Sequence, residues 1–290
     1  MNKLALGTVQ FGMNYGIANN SKKIFPQKSI SEILKLAKLS KITTLDTAIA
    51  YGSSEKKLGK ENLDFFDVIT KISNIPSLKK NTHSWIRKEV ELSLQRLNQN
   101  KIYGVLLHKA SDLNGPDGKK IYEALSILKK ERIISKIGIS IYSPSELDNI
   151  VPNFDIDIVQ SPFNVFDTRL KTSGWMNKLH QANIEIHTRS TFLQGLLLMD
   201  LKDIPTKFIK WANLFALWDK TVEQSNMNKM ETCIQFSCSF NEIDKVIFGV
   251  DNVEQFKEVS EYNFQRKYNN LCDMSCNDEY LINPTKWSLL

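Results

Sequence analysis

The chain has 290 residues, 42% of them hydrophobic and 24% charged, with a formal net charge of +6. That composition excludes a disordered polymer, and the length buries a large core without disulfide staples. The basic residues are scattered as pairs (Lys22-Lys23, Lys56-Lys57, Lys79-Lys80, Lys119-Lys120, Lys129-Lys130) with no basic block or aromatic interleaving, which argues against a nucleic-acid groove. In chain order, apolar and β-branched runs begin near Leu4, Thr43, Phe66, Ile102, Ile134, Asp157, Ile184 and Lys245. They read as strands buried on both faces.

Between most of these runs the period changes to that of a helix. Ile30, Ile33, Leu34 and Ala37 follow the i, i+3, i+4, i+7 rule, and Ser29 with Glu32 predicts a capping box at that helix start. Ile86, Val90, Leu94 and Leu97 mark a second helix; Ile121, Leu125 and Leu128 mark a third. Ser143-Pro144-Ser145-Glu146 combines an N-cap, a proline at the first helical position and a glutamate three residues after the cap. The gap from about 192 to 244 predicts one or two extra helices around Trp211 to Phe240. The tail from 262 to 290 is turn-rich and is expected to fold back over a barrel end.

Eight strands alternating with helices point to one domain over 1–290 with a (β/α)8 TIM barrel. A doubly wound sheet is the competitor, disfavoured because no GxGxxG follows the first strand. Cys233, Cys238, Cys272 and Cys276 include no CxxC pair and have no adjacent histidine, so no metal is expected. The opening MNKLALGTVQFG lacks the apolar stretch of a signal peptide, and no run is long enough to span a membrane. A cytoplasmic location with reduced thiols is the expectation.

The chemistry concentrates in four residues of the first half. Asp46, Tyr51, Lys71 and His108 each close an apolar run, in the contexts TTLDTAIAYG, FFDVITKI and IYGVLLHK. Polar groups at the C-terminal ends of barrel strands are where catalytic residues sit. A free phenol holds its proton up to about pH 10. An ammonium from Lys71 beside Tyr51 would lower that value, and Asp46 would hold the lysine in place. His108 can hydrogen-bond a substrate oxygen beside the phenol.

The pattern Asp46-Thr47-Ala48, Tyr51-Gly52, Lys71 and His108 resembles the Asp-Tyr-Lys-His tetrad of the aldo-keto reductases in identity, order and approximate spacing. The resemblance runs from LALGTVQFG to VIFGV and its following helix. It implies a TIM barrel that binds NADP or NAD across its C-terminal face and reduces a small-molecule carbonyl compound, with Tyr51 protonating the oxygen. By the same resemblance Gly7 and Thr8 match the loop beside the nicotinamide ribose, and Ser140 and Gln160 match side chains on the carboxamide. The family's asparagine after that serine is Ile141 here. Where many members stack a tyrosine on the nicotinamide, this chain has Arg189, followed by Ser190. A guanidinium can lie flat on a ring, or the arginine can face solvent or a substrate anion. Gly249, Val250, Asp251 and Asn252 fall where strand eight meets a helix, a ready phosphate site. Gln255 stands where members that prefer NADPH carry an arginine, and no Lys or Arg occurs between Lys245 and Lys257.

Two rivals remain open at this level: a cofactor-binding regulatory barrel with little turnover, and a lyase or isomerase using Lys71 as a Schiff base. The GTVQFG…YGIAN opening and the INPTKW ending resemble aldo-keto reductases of bacterial surface-sugar pathways, which implies a sugar-derived substrate.

Overall fold

Eight short strands follow one another around a ring: β1 (Leu4–Gly7), β2 (Thr44–Asp46), β3 (Asp67–Ile72), β4 (Ile102–Leu107), β5 (Ile134–Ser140), β6 (Ile158–Pro162), β7 (Glu185–Arg189) and β8 (Lys245–Phe248). Neighbours pair in parallel in sequence order, and β8 returns to β1 through Leu4↔Val246, Ala5↔Ile247 and Leu6↔Phe248. The barrel is therefore closed, and the doubly wound alternative is excluded. Every strand starts within one residue of its expected place. This computed structural model describes residues 2–17, 24–73, 75–76, 81–261 and 273–290. Lys22, Lys23, Lys79, Lys80 and Cys272 lie outside them, as does the first part of the tail.

The helices bury the faces that periodicity assigned. Gln27–Leu39 buries Ile30, Ile33, Leu34 and Ala37; Thr82–Leu97 buries Ile86, Val90 and Leu97; Gly118–Lys130 buries Ile121, Leu125 and Leu128. The Ser29–Glu32 capping box is a correction. The helix already begins at Gln27 behind Pro26, and Ser29 N–H donates to Pro26 O inside the first turn. The proline, extended at φ −68° and ψ 152°, sets the entry before the serine can cap anything. The second cap forms as expected: the Glu146 carboxylate accepts from the Tyr142 and Ser143 N–H groups at 2.7 and 2.8 Å.

Two helices fill the long gap, Ala212–Ser225 and Lys229–Cys238. The described part of the tail packs at the C-terminal rim. The Trp287 ring meets Phe208 edge-on at 4.9 Å, and Cys276 N–H donates to Phe166 O in the segment after β6.

Alternation along the strands builds the floor of the site. Ile69, Leu106 and Ile158 form a separate apolar cluster. Lys71, His108 and Gln160 stand two residues further along the same strands, so each faces the same way one layer higher. A dry apolar plug thus lies under a polar rim. Among the described residues no helix is long and apolar enough to cross a membrane.

Candidate active site

Asp46 ends β2 and is 4% exposed; Lys71, the penultimate residue of β3, is 1% exposed. Burial lowers the Lys71 pKa, and the charge and hydrogen bond of Asp46 oppose that shift. The ammonium donates to Asp46 Oδ1 at 2.6 Å and to Thr47 O at 3.0 Å. The other carboxylate oxygen, Oδ2, accepts from Gln160 Nε2 at 2.7 Å. Gln160, expected on a cofactor amide, therefore clamps Asp46 from across the barrel.

Tyr51 is not at a strand end. The run AIAY forms a turn beyond β2, because Tyr51 N–H donates to Ala48 O and Ser54 N–H donates to Tyr51 O. A buried chain of hydroxyls fastens this turn to β1. Thr47 Oγ1 donates to Ser54 Oγ, Ser54 Oγ donates to Thr8 O, and Thr8 Oγ1 donates to Asp46 O. Gly12 is required here: a Cβ on it would lie 1.8 Å from Tyr51 O. Gly52 adopts φ +58° against it, a conformation glycine reaches without steric cost. The result sets the Tyr51 ring over Lys71, whose Nζ is 5.1 Å from the ring centroid. His108, just past β4, meets the same ring edge-on at 5.9 Å.

The proton affinities follow from burial. Burial first, then the Asp46 carboxylate, pushes the Tyr51 phenol above its ordinary value, against the opposing pull of Arg189. This corrects the expected downward direction: burial of the phenol outweighs the cationic neighbours. Burial and then the Lys71 charge take His108 down to about 4, so its imidazole is neutral at pH 7.

A cavity of about 920 Å³, counted with its open mouth, crosses the rim from Tyr51 to the start of the helix Val253–Glu261. Gly7, Thr8, Asp46, Gln160, Arg189, Ser190, Gly249, Asp251 and Gln255 line it with Tyr51. Ser140 is buried at the end of β5 and Val250 is buried beside Gly249; neither lines the cavity. Asn252 lines an adjoining pocket with Pro26, Glu32 and Glu254. Gln255 is engaged locally: its Oε1 accepts from Asp251 N–H at 2.7 Å, and its own N–H donates to Asn252 Oδ1 at 2.8 Å.

Several lining residues were not expected, among them Gln10, Tyr15 and Gln194. Tyr15 and Gln10 stand in the GTVQFGMNYG segment right after β1, and their place in a rim loop is the one signal the sequence offered. Among the described residues, the buried acceptors Gln10 Oε1 and Asp251 Oδ1 have no hydrogen-bond partner. A Cβ on Gly249 would meet the Gln10 amide at 2.8 Å. Unpaired acceptors beside bare glycine backbone suit the hydroxyl-rich, elongated body of a dinucleotide, and the residues present fit such a cofactor.

A profile of the aldo/keto reductase family matches residues 3–271. Among solved structures, the chain is similar to an aldo-keto reductase from Bacillus halodurans in its holo form, with a TM-score of 0.71 and 21% identity, covering 89% of this chain and 85% of that one. It is also similar to a glycerol dehydrogenase from Gluconobacter oxydans, with a TM-score of 0.70 and 22% identity over 90% and 86% of the two chains. At such identities the likeness concerns the fold. No curated protein sequence matches the chain.

The state of His108 is directly measurable. An NMR titration of its imidazole should give a midpoint at about 4. Because the folded value lies below the unfolded one, acidification from about pH 6.5 downward costs native stability through this group. A midpoint near ~6.5 would show a solvated ring and contradict its burial against the Tyr51 ring.

Proposed function

The chain belongs to the aldo/keto reductase family, and from that premise we propose that Tyr51 is its proton donor, positioned with Lys71 and Asp46, with His108 receiving the substrate oxygen. The protein is an NAD(P)-dependent oxidoreductase that reduces an aldehyde or ketone and, in reverse, oxidises the alcohol. What carries the assignment of roles is the buried Lys71–Asp46 ion pair with the Tyr51 ring directly over the ammonium.

When bound, the reduced nicotinamide supplies the hydride that the carbonyl carbon accepts. Gly7, Thr8, Ser190, Gly249, Asp251 and Gln255 would hold the cofactor along the cavity, with Arg189 at the Tyr51 end. Tyr51 keeps its proton throughout the neutral range, so it enters the reduction as a hydrogen-bond donor to the carbonyl oxygen. As that oxygen gains negative charge, the phenol proton passes to it. Neutral His108 donates a second hydrogen bond without competing as an acid. In the oxidation direction Tyr51 must first lose its proton, and the pairing of Asp46 with Lys71 limits how strongly the carboxylate opposes that loss.

A Schiff base on Lys71 fits less well. It requires a free, accessible amine, whereas this amine is buried, ion-paired and bonded to Thr47 O. Tyr15, Gln194 and Thr191 add polar groups to the cavity, which supports a hydroxylated, sugar-derived carbonyl compound as substrate. Cys233, Cys238 and Cys276 are free thiols, in keeping with a cytoplasmic location.

The pocket beside the start of the helix Val253–Glu261 bears on coenzyme choice. Glu32, Asp251 and Glu254 line it, and among the described residues no lysine or arginine does. A 2′-phosphate there meets carboxylates, and the neighbouring Lys257 is already paired with Glu32 at 3.4 Å; lacking a charge-assisted partner removes roughly 1.5–3 kcal/mol of preference.

Tyr51→Phe should lower kcat for a good aldehyde by about 10²–10⁴-fold, while the Kd for NADPH stays within about threefold. Near-normal turnover by the phenylalanine variant would refute the assignment. Steady-state kcat/KM with both coenzymes should place NADH within roughly tenfold of NADPH, each decade corresponding to about 1.4 kcal/mol. A preference for NADPH above about a hundredfold would contradict the acidic reading of that pocket.

A further inference from the structure

Arg189 ends β7 at the rim and reaches into the same cavity as Tyr51. Its side chain is held in place by neutral partners. Nη2 donates to Ile141 O at 2.9 Å, Nη1 donates to Ser190 Oγ at 3.2 Å, and the guanidinium carbon lies 4.7 Å from the Tyr142 ring centroid. The other part-buried arginines among the described residues each meet a carboxylate: Arg87 with Glu131, Arg96 with Glu55 and Arg169 with Asp167. Arg189 has no carboxylate within 4 Å among the described residues.

The charge balance at this end of the cavity is therefore uneven. Asp46 and Lys71 cancel, His108 is neutral at pH 7, and Arg189 leaves an excess positive charge. A part-buried cation loses hydration and regains it only from an anion or polar groups placed to receive its N–H donors. An arginine has five such donors in a planar fork that matches carboxylate or phosphate. The guanidinium is already oriented by Tyr142 and Ile141 O, so an arriving anion meets a pre-positioned site.

We infer that Arg189 binds an anionic substituent, carboxylate or phosphate, carried by the carbonyl substrate itself. This rests on the reading of the site as a carbonyl reductase, and it narrows the substrate class from any aldehyde or ketone to oxo-acids and phosphorylated carbonyl compounds. The location separates this anion from the cofactor's phosphates, which are assigned to the opposite end, at Gly249 and the helix start. The carbonyl to be reduced sits at Tyr51, beside Arg189, so the anionic group lies within a few bonds of it.

Two matched pairs test the inference: 4-oxobutanoate against its neutral methyl ester, and glyceraldehyde 3-phosphate against glyceraldehyde. In the native enzyme the anionic member of at least one pair should have the higher kcat/KM, and which pair shows it distinguishes carboxylate from phosphate. Arg189→Gln should reduce that anionic-to-neutral ratio by about ten- to a hundredfold, the effect of losing a charge-assisted hydrogen bond. Arg189→Lys should retain most of the ratio. A native ratio at or below one for both pairs, or a ratio unchanged in Arg189→Gln, would overturn the inference. Calorimetric titration of the coenzyme-loaded protein with 4-hydroxybutanoate and with glycerol 3-phosphate keeps it separate from the reductase reading. Arg189-dependent binding without turnover of any aldehyde would leave the anion site standing and defeat the reductase reading. Absent binding and absent turnover would overturn both.

Discussion

A lysine ammonium sealed under the C-terminal rim of the barrel needs an anion, and Asp46 supplies it at 2.6 Å. The rest of the site follows from that pairing. Asp46 is held by Lys71 on one oxygen and Gln160 on the other, so three strands must be in register for the pair to exist. The plug of Ile69, Leu106 and Ile158 beneath keeps it dry. A buried ion pair is weak evidence for stability, because desolvation of both charges offsets much of their attraction. Its retention is better explained by what stands above it: a phenol whose proton affinity responds to any imbalance between the two charges.

The cavity is electrically polarised along its length. At the Tyr51 end Arg189 provides an uncompensated cation; at the other end Asp251 lines the cavity, with Glu254 in the adjoining pocket. Burial raises the Asp251 pKa, with a hydrogen bond from Gln10 opposing, and its Oδ1 finds no partner among the described residues. Backbone strain gathers between the two ends. Ser190, Leu193 and Gln194 all adopt positive φ, at 61°, 47° and 55°, and Gly195 follows at 91°. Non-glycine residues in that region cost about 1–3 kcal/mol each, and here they all belong to the segment that lines the cavity after β7.

Much of the barrel was legible because strands buried on both faces are nearly continuous apolar runs, and because helix faces repeat with a different period. Asp46 and Lys71 could be read as rim residues since each closes such a run. Tyr51 was read as a strand end because AIAY is apolar; only the approach of Gly12 and the hydroxyls of Thr8, Thr47 and Ser54 turn it into a loop. The partnership of Gln160 with Asp46 joins residues 114 positions apart, which local pattern cannot reveal. The direction of the Tyr51 shift is hidden from the sequence for a related reason. Spacing indicates which charges are neighbours, but the degree of burial, the larger cause here, emerges only from packing. Local sequence cannot decide the role of Arg189, because its partners Ile141 and Tyr142 come from another strand's loop.

Burial raises the proton affinity of Tyr51, and the charge balance of the buried Asp46–Lys71 pair beneath it tunes the raised value. The most direct measurement is the pH profile of alcohol oxidation in Lys71→Met against the native enzyme, with Asp46→Asn in the same background as a control. Removing the ammonium leaves the Asp46 charge uncompensated beside the phenol, so the rising alkaline limb should move upward by at least about one pH unit. The added Asp46→Asn change should bring it part of the way back. A limb that stays in place in Lys71→Met, with turnover near the native level, would contradict the account.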